Sequence, residues 1–243
     1  MSFLSLTRTE DGARPVRIAV FGIWLAAFCL GGVAIVTGDM LLSIGVGGAI
    51  FLALLLPAYT WVSGIEMPPG LCTGVLAFAL CAFVVGERFG AYAVSWWWDI
   101  ALHLLSSAVL ALIGQALVLL MTAGAPPRTG LWVASVLAVG FAALVGAGWE
   151  LMEFSIDAIF DTHAQRSGLP DTMGDVATNL CGAIYGAVAG QLALSRAVRL
   201  PLSGLLLEFC GRNGVIYGAW PGVPLSRSPK EGARTAAPTV ETT

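Results

Sequence analysis

Six carboxylates and one histidine lie near the ends of three apolar segments of this chain. They are Asp99 and His103, then Glu150, Glu153 and Asp157, then Asp171 and Asp175. Carboxylate oxygens and imidazole nitrogens bind divalent cations and exchange protons, so these side chains could hold a metal ion or act in acid–base chemistry. Because ionised groups are unfavourable in apolar surroundings, their recurrence beside three such segments indicates a functional site.

The overall composition predicts the class of protein to which these segments belong. Hydrophobic residues make up 57% of the chain, charged residues only 11%, and the mean hydropathy is +0.84. These values lie far outside the range of soluble domains, so we expect an integral membrane protein in contact with a lipid bilayer. The formal net charge of -3 and the pI near 5.3 exclude the basic surface of a nucleic-acid-binding protein.

The apolar runs predict an all-α fold, a polytopic transmembrane helix bundle of six spans, because each run is close to the ~20 residues that cross a bilayer. The predicted spans are residues 18–37, 40–58, 70–90, 99–121, 131–154 and 174–195. The predicted organisation is an N-terminal segment (1–17), a membrane domain (18–195), a cytoplasmic or interfacial segment (196–220) and a disordered tail (221–243). A seventh span within 201–220 is the alternative, although Glu208 and Arg212 would interrupt it.

The distribution of basic residues predicts that both termini are cytoplasmic. Arginines precede the first span, and arginines and a lysine follow the sixth. With both termini inside, only Arg88 and Arg166 of the twelve basic residues lie outside. Because cytoplasmic segments of membrane proteins carry an excess of Lys and Arg, this orientation is favoured.

In this topology the start of span four, the end of span five and the start of span six reach the same outer face. Asp99 and His103 are four residues apart, and Glu150, Glu153 and Asp157 are three and four apart, so each set follows one helical stripe. The metal ligands predicted from this convergence are Asp99, His103, Glu150, Glu153 and Asp175, and the site-lining residues are Asp157, Asp171, Asn179 and Arg166. His103 and Glu153 are the candidate catalytic bases.

A purely structural explanation covers some of these acids and not others. Asp99, Asp171 and Asp175 lie at predicted helix N-termini, where the helix dipole favours negative charge. Glu150 and Glu153 lie at a predicted C-terminus, where the dipole opposes them and where they repel each other. They therefore require protonation, a bound cation or Arg166 as counter-charge, and hard oxygen ligands favour Mg²⁺, Ca²⁺ or Mn²⁺.

Small residues predict close packing of the sixth span against a neighbour. Gly182, Gly186 and Gly190 recur every four residues and leave a smooth stripe on one side of the helix. The same stripe could serve association of two copies, so a homo-oligomer stays open.

The joint pattern of these residues resembles the YjdF family of bacterial inner-membrane proteins over roughly residues 65–190. The motifs are Gly86-Glu87, Tyr92, Trp96-Trp97-Trp98-Asp99 with His103 and Ser106, Gly148-Trp149-Glu150 with Glu153 and Asp157, and Asp171-Thr172 with Asp175, Asn179 and Gly182. The part from Glu150 to Gly182 is also similar to VanZ-like membrane proteins, although Glu153 stands where that group commonly has glutamine. The resemblance implies a six-helix protein of the bacterial inner membrane and a link to the cell envelope, but no particular reaction.

Three hypotheses follow. The first is an outer-side site that binds a divalent cation and through it a polar or phosphate-bearing envelope lipid, with metal-assisted hydrolysis or transfer left open. The second is a proton- or cation-coupled transporter in which Glu150 and Glu153 titrate. The third is a structural or partner-binding membrane protein.

Overall fold

The computed structural model describes residues 10–122 and 130–214, with side chains from residue 16 onward, and these residues contain helices and no strand. The helices are α1 (Glu10–Thr37), α2 (Met40–Ser63), α3 (Pro69–Ala79, continued by a π-helical segment, Leu80–Arg88), α4 (Ala91–Val94), α5 (Trp96–Met121), α6 (Leu131–Phe160), α7 (Leu169–Arg196) and α8 (Ser203–Arg212). The predicted tail 221–243 lies outside the described residues.

Six of these elements are long and apolar enough to cross a membrane: α1, α2, α3 with its π-helical continuation, α5, α6 and α7. The predicted number of spans and the all-α fold are therefore confirmed. Several ends differ from the prediction. Helix α1 begins at Glu10 and α5 at Trp96, both earlier than predicted, and α2 continues to Ser63. At the candidate site, α6 continues to Phe160 and α7 already begins at Leu169. The acids Asp157 and Asp171 do not interrupt these helices, and Pro170 suits the first turn of α7, where a backbone N–H is not needed.

The six spans form two groups of three. In the first, α1, α2 and α3 pack through small and aliphatic side chains, among them Ala34, Val46, Ala49 and Leu76. In the second, α5, α6 and α7 all contact one another, and α5 packs most extensively against α7. Because α6 lies between them in the chain, α5 and α7 run in the same direction and their first turns share one face.

The hydrogen-bonding pattern of the third span changes from α-helical to π-helical in its second half. Over Leu80–Arg88 the backbone adopts π-helical hydrogen bonding, and Phe89 N–H donates to the Val84 carbonyl at 2.9 Å. A Cβ atom at Gly86 would overlap the ring of Tyr92, so this close approach requires glycine. Single π-helical turns often accompany functional sites, and this one places Tyr92 next to the start of α5.

Helix α8 is too short to span a membrane, because its ten residues rise only ~15 Å. Its side chains Leu206, Leu207 and Cys210 pack against the ends of α5 and α7. Asn213 then ties the chain to the α2–α3 connection, since its amide oxygen accepts from Glu66 N–H at 2.9 Å and its amide nitrogen donates to the Glu66 carbonyl at 2.9 Å.

Candidate functional site

Two aspartates and a histidine meet at one end of the α5–α7 group. His103 Nε2 lies 3.5 Å from Asp99 Oδ1, one turn earlier on α5, and 3.8 Å from Asp175 Oδ1 on α7. One ligand atom from each of the three residues falls within 4.8 Å of the other two. A single cation could therefore contact all three residues, and we call this set the Asp–His–Asp group.

The other ring nitrogen of His103 faces a neutral partner. His103 Nδ1 lies 3.2 Å from the Asn179 amide oxygen, and the hydroxyl of Ser107 donates to the same oxygen at 2.7 Å. Ser107 is one turn after His103 on α5, and Asn179 is one turn after Asp175 on α7. Both Ser107 and Asn179 are buried, so the polar groups on this side of the imidazole are shielded from water.

Glu150 brings a carboxyl group from α6 to the same end of the bundle. The residue is only 4% exposed, and neither carboxyl oxygen has a partner within hydrogen-bond distance among the described residues, although the Thr172 side chain of α7 lies close enough to interact with the carboxylate. His103, Asp99 and Asp171 lie close enough to interact electrostatically with Glu150, and Asp175 in turn is close enough to interact with Glu150. A buried acceptor without a partner is unfavourable by about 1–3 kcal/mol, and more if it is charged.

Glu153 lies beside Glu150, and its side chain is partly exposed at the surface of α6. Its carboxylate accepts a hydrogen bond from the indole nitrogen of Trp149 at 2.9 Å, one turn earlier on α6. It is close enough to Glu150, His103 and Asp99 to interact with their charges. The structure thus places Glu153 at the edge of the Asp–His–Asp group rather than at its centre.

Arg166 supplies positive charge from the α6–α7 connection. Its guanidinium lies 3.5 Å from Asp99 Oδ2 and stacks over the ring of Tyr92 at 3.9 Å. Burial is the main cause that raises the pKa of Tyr92, so the ring stays neutral and presents a π face to the guanidinium. Arg166 neutralises only part of the acidic charge, because Asp175 and Glu150 have no ion pair with an arginine or lysine among the described residues.

Asp157 and Asp171 organise the connection that carries Arg166. Asp157 accepts hydrogen bonds from the Thr162 hydroxyl at 2.6 Å and from the backbone N–H groups of Ala164 and Gln165 at 2.7 and 2.8 Å. Asp171 accepts from Arg166 N–H at 3.1 Å. These contacts give both acids a structural role next to the site.

Farther along the α5–α7 group from the acidic end, the interior consists of an apolar layer followed by a second polar layer. Under Ser107 and Asn179 lies a layer of apolar small side chains, which we call the alanine layer: Ala111, Ala142, Ala183 and Ala187. Beneath it, Gln115 donates to the Ala187 carbonyl at 2.8 Å and to Ser135 at 3.1 Å, and Ser135 donates to Gln191 at 2.6 Å. The acidic end is thus separated from the second polar layer by alanine.

Glycines allow these helices to approach closely. Cβ atoms at Gly182 and Gly186 would overlap the backbone carbonyls of Leu104 and Ala108, and one at Gly190 would overlap the side chain of Gln115. On the other side of α7, a Cβ at Gly146 of α6 would lie 2.9 Å from the Asn179 amide nitrogen. The site therefore depends on backbones that pack without intervening side chains.

The sequence predicts no role for Ser107, Tyr92 or Trp149, although each contacts a predicted site residue. Ser107 and Trp149 stand one helical turn from His103 and Glu153, and this spacing could have indicated them. Trp149 and Tyr92 also belong to the motifs that resemble the YjdF family. Tyr92 reaches Arg166 through the π-helical end of the third span, which no local pattern predicts.

A protein family described as "Predicted membrane protein (DUF2238)" matches residues 16–196. The chain belongs to this family. The matched range includes all six spans and every residue of the acidic end described above. The resemblance to the YjdF family is consistent with this membership. Neither the curated proteins nor the solved structures contain a match to the chain.

Proposed function

We propose that the protein binds a divalent cation at the acidic end of the α5–α7 group, with Asp99, His103 and Asp175 as its central ligands and Glu150 as a fourth. The observation that carries this proposal is the carboxyl group of Glu150, which is buried without a partner beside the Asp–His–Asp group. Structural acids normally find hydrogen-bond donors, as Asp157 does, whereas a ligand residue is left for its cation.

The donor set favours Mg²⁺, Ca²⁺ or Mn²⁺ over zinc. Three carboxylates and one imidazole form a mostly hard set, and no cysteine takes part in the group. Of these ions, Mn²⁺ accepts an imidazole nitrogen most readily, because affinities of nitrogen ligands rise toward the transition metals. Glu153 remains the candidate base for any water or hydroxyl bound at the rim, since it lies at the edge of the group and is partly exposed.

The cation also determines which larger ligand could bind. The acids Asp99, Glu150, Glu153, Asp171 and Asp175 outnumber the positive charge that Arg166 supplies here. A phosphate-bearing envelope lipid would be repelled by them unless a divalent cation and Arg166 faced its phosphate. With both termini cytoplasmic, this end faces the outer side of the inner membrane, where such lipid headgroups lie.

A proton- or cation-coupled transporter is the second candidate, favoured by the burial of Glu150. A buried carboxyl without a partner is most stable when protonated, and such a group can carry a proton. The alanine layer argues against passage through the α5–α7 group in this conformation, because its side chains offer no hydrogen-bonding atom between the Asn179 amide and Gln115, and the Ala187 carbonyl already accepts from Gln115. Binding from one side is therefore the better supported function.

Titration of the purified, metal-stripped protein with Mn²⁺, followed by calorimetry, tests the proposal. We expect about one ion per chain, and we expect Asp99→Asn and Asp175→Asn each to weaken binding by more than about tenfold. Asp161→Asn is the matched control, because Asp161 is exposed at the same end of the bundle and its left-handed backbone (φ 53°) suits asparagine.

Three outcomes would count against cation binding: no heat of binding, a stoichiometry far from one, or equal loss of affinity in the control. Solute flux driven by a pH gradient in proteoliposomes, without bound metal, would support the transporter instead. Addition of vesicles containing an anionic phospholipid separates the lipid step, because lipid binding through the cation must disappear when EDTA removes the metal.

A further inference from the structure

We propose that Asn179 is a positioning residue that sets the tautomer of His103, so that Nδ1 carries the proton and Nε2 is presented to the cation. This inference rests on the proposed function and adds the residue that prepares its only nitrogen ligand. It starts from the two sides of the imidazole ring. Nδ1 faces the Asn179 amide oxygen at 3.2 Å, whereas Nε2 faces Asp99 and Asp175 at 3.5 and 3.8 Å.

A neutral imidazole has one donor and one acceptor nitrogen, and its neighbours decide which is which. An amide oxygen can only accept, so the Asn179 oxygen stabilises the form with hydrogen on Nδ1. The lone pair of Nε2 then points toward two carboxylates. That arrangement is repulsive by itself. It becomes favourable when a metal cation, or in its absence a second proton on Nε2, lies between the three groups.

The Asn179 amide lies between Ser107 of α5 and Gly146 of α6, with its oxygen on the side of Ser107 and His103. The Ser107 hydroxyl donates to the Asn179 oxygen at 2.7 Å, so this oxygen accepts from two sides. The amide nitrogen is directed toward Gly146, where a Cβ would lie 2.9 Å away, and it has no acceptor among the described residues. Asn179 thus accepts hydrogen bonds through its oxygen, and its amide nitrogen is buried without a partner among the described residues.

Burial makes this control effective. Asn179 is 4% exposed and Ser107 is 1% exposed, so water does not compete for the imidazole. Around metal sites, a group that receives the second N–H of a ligand histidine fixes both the tautomer and the ring orientation, and its loss weakens metal binding by about 10–100-fold.

The first test compares two nearly isosteric substitutions, Asn179→Leu and Asn179→Asp. Leucine has the same branched shape, with two somewhat larger methyl groups in place of the amide oxygen and nitrogen, and cannot accept a hydrogen bond, whereas aspartate keeps an acceptor for Nδ1–H. We expect Mn²⁺ affinity, measured by calorimetry, to fall by about 10–100-fold in Asn179→Leu. We expect Asn179→Asp to bind at least as tightly as the wild type, with both variants folded by circular dichroism and thermal melting.

The second test reads the tautomer directly, without reference to affinity. The chain has two histidines, so His163→Gln leaves His103 as the source of every imidazole signal. In ¹⁵N-histidine-labelled protein loaded with Cd²⁺, a diamagnetic substitute for Mn²⁺, we expect a protonated Nδ1 and a metal-bound Nε2. In the same background with Asn179→Leu, we expect the signal of a mixture of tautomers or of a histidine released from the metal.

The results separate the two proposals. If the wild type binds no cation, the proposed function fails. If the wild type binds but Asn179→Leu binds equally well, or if Nδ1 is the metal-bound nitrogen, the function stands and the role of Asn179 is refuted. Equal weakening by leucine and aspartate, with a matching loss of thermal stability, would also refute it, since it would indicate packing alone.

Discussion

At the scale of single residues, the acidic end separates acids that stabilise the fold from acids that do not. Asp157 and Asp171 each accept hydrogen bonds from the α6–α7 connection, so their charges are compensated locally. Glu150 is buried without such compensation. A protein retains a group of this kind where it serves a ligand, because the fold alone would be more stable without it.

This contrast predicts opposite effects on stability and binding at Glu150. Glu150→Met replaces the unpartnered carboxyl with an apolar side chain of similar length, and we expect the metal-free protein to gain about 1–3 kcal/mol. Thermal melting in EDTA should therefore show a higher Tm, by about 2–4 °C for each kcal/mol in a chain of this size. Calorimetry on the same variant should show weaker Mn²⁺ binding. A lower Tm in EDTA would mean that Glu150 has a partner the fold needs.

At the scale of elements, α7 is the helix on which the site depends. It contributes Asp175 and Asn179 to the acidic end. Farther along α7, Gly182 and Gly186 face the backbone of α5 and Gly190 faces its Gln115 side chain. Because α5 and α7 run in the same direction, a displacement of one against the other would separate Asp175 from Asp99 and His103. The glycine contacts therefore maintain the distances between the ligands of the proposed cation site.

Two glycine-to-alanine substitutions at different positions of α7 test this dependence. Gly186→Ala places a methyl group against the Ala108 carbonyl, and we expect it to destabilise the protein by about 1–3 kcal/mol and to weaken cation binding. Gly174→Ala on the same helix meets no atom within 4 Å. It should be neutral or stabilising by up to about 1 kcal/mol, because alanine favours the helix. Both effects can be measured by thermal melting, and a loss of stability in Gly174→Ala alone would contradict the assignment of the packed face.

The sequence alone predicts some of these elements and contacts and not others. Hydropathy and length predict six spans because a membrane helix must be apolar over a fixed distance. The four-residue spacing of Asp99 and His103 places them on one stripe of α5, as the structure has it. Sequence patterns do not indicate the π-helical segment, the close approach of Tyr92 to Gly86 or the contact of Asn179 with His103. Each of these features arises from tertiary packing. The continuation of α6 from residue 154 to Phe160 is not predicted, because charged residues resemble a span boundary when their neighbours are not known.

At the scale of the whole molecule, the predicted orientation decides which compartment supplies the cation. Because six is an even number, the first span begins and the last span ends on the same face, whereas the α6–α7 connection lies on the opposite face, one span away from the end of α7. The positive-inside rule predicts that this connection lies outside the cytoplasm.

Cysteine labelling can test this orientation. In intact cells, a membrane-impermeant maleimide should label Thr162→Cys in the exposed α6–α7 connection but not the parent chain, whose exposed cysteines Cys29 and Cys181 lie within the spans. In inverted membrane vesicles the label should be lost. The reverse pattern would place the site in the cytoplasm and remove the argument for envelope lipids.

The alanine layer has an electrical consequence for a protein in an energised membrane. Voltage falls mainly across the part of a membrane protein that holds neither water nor mobile charge, and a full crossing is worth ~2.3 kcal/mol per elementary charge at 100 mV. The acidic end lies entirely on one side of the layer formed by Ala111, Ala142, Ala183 and Ala187. An ion that enters from that side crosses little of the field, so its occupancy should follow the ionic composition outside the layer and respond only weakly to the energetic state of the cell.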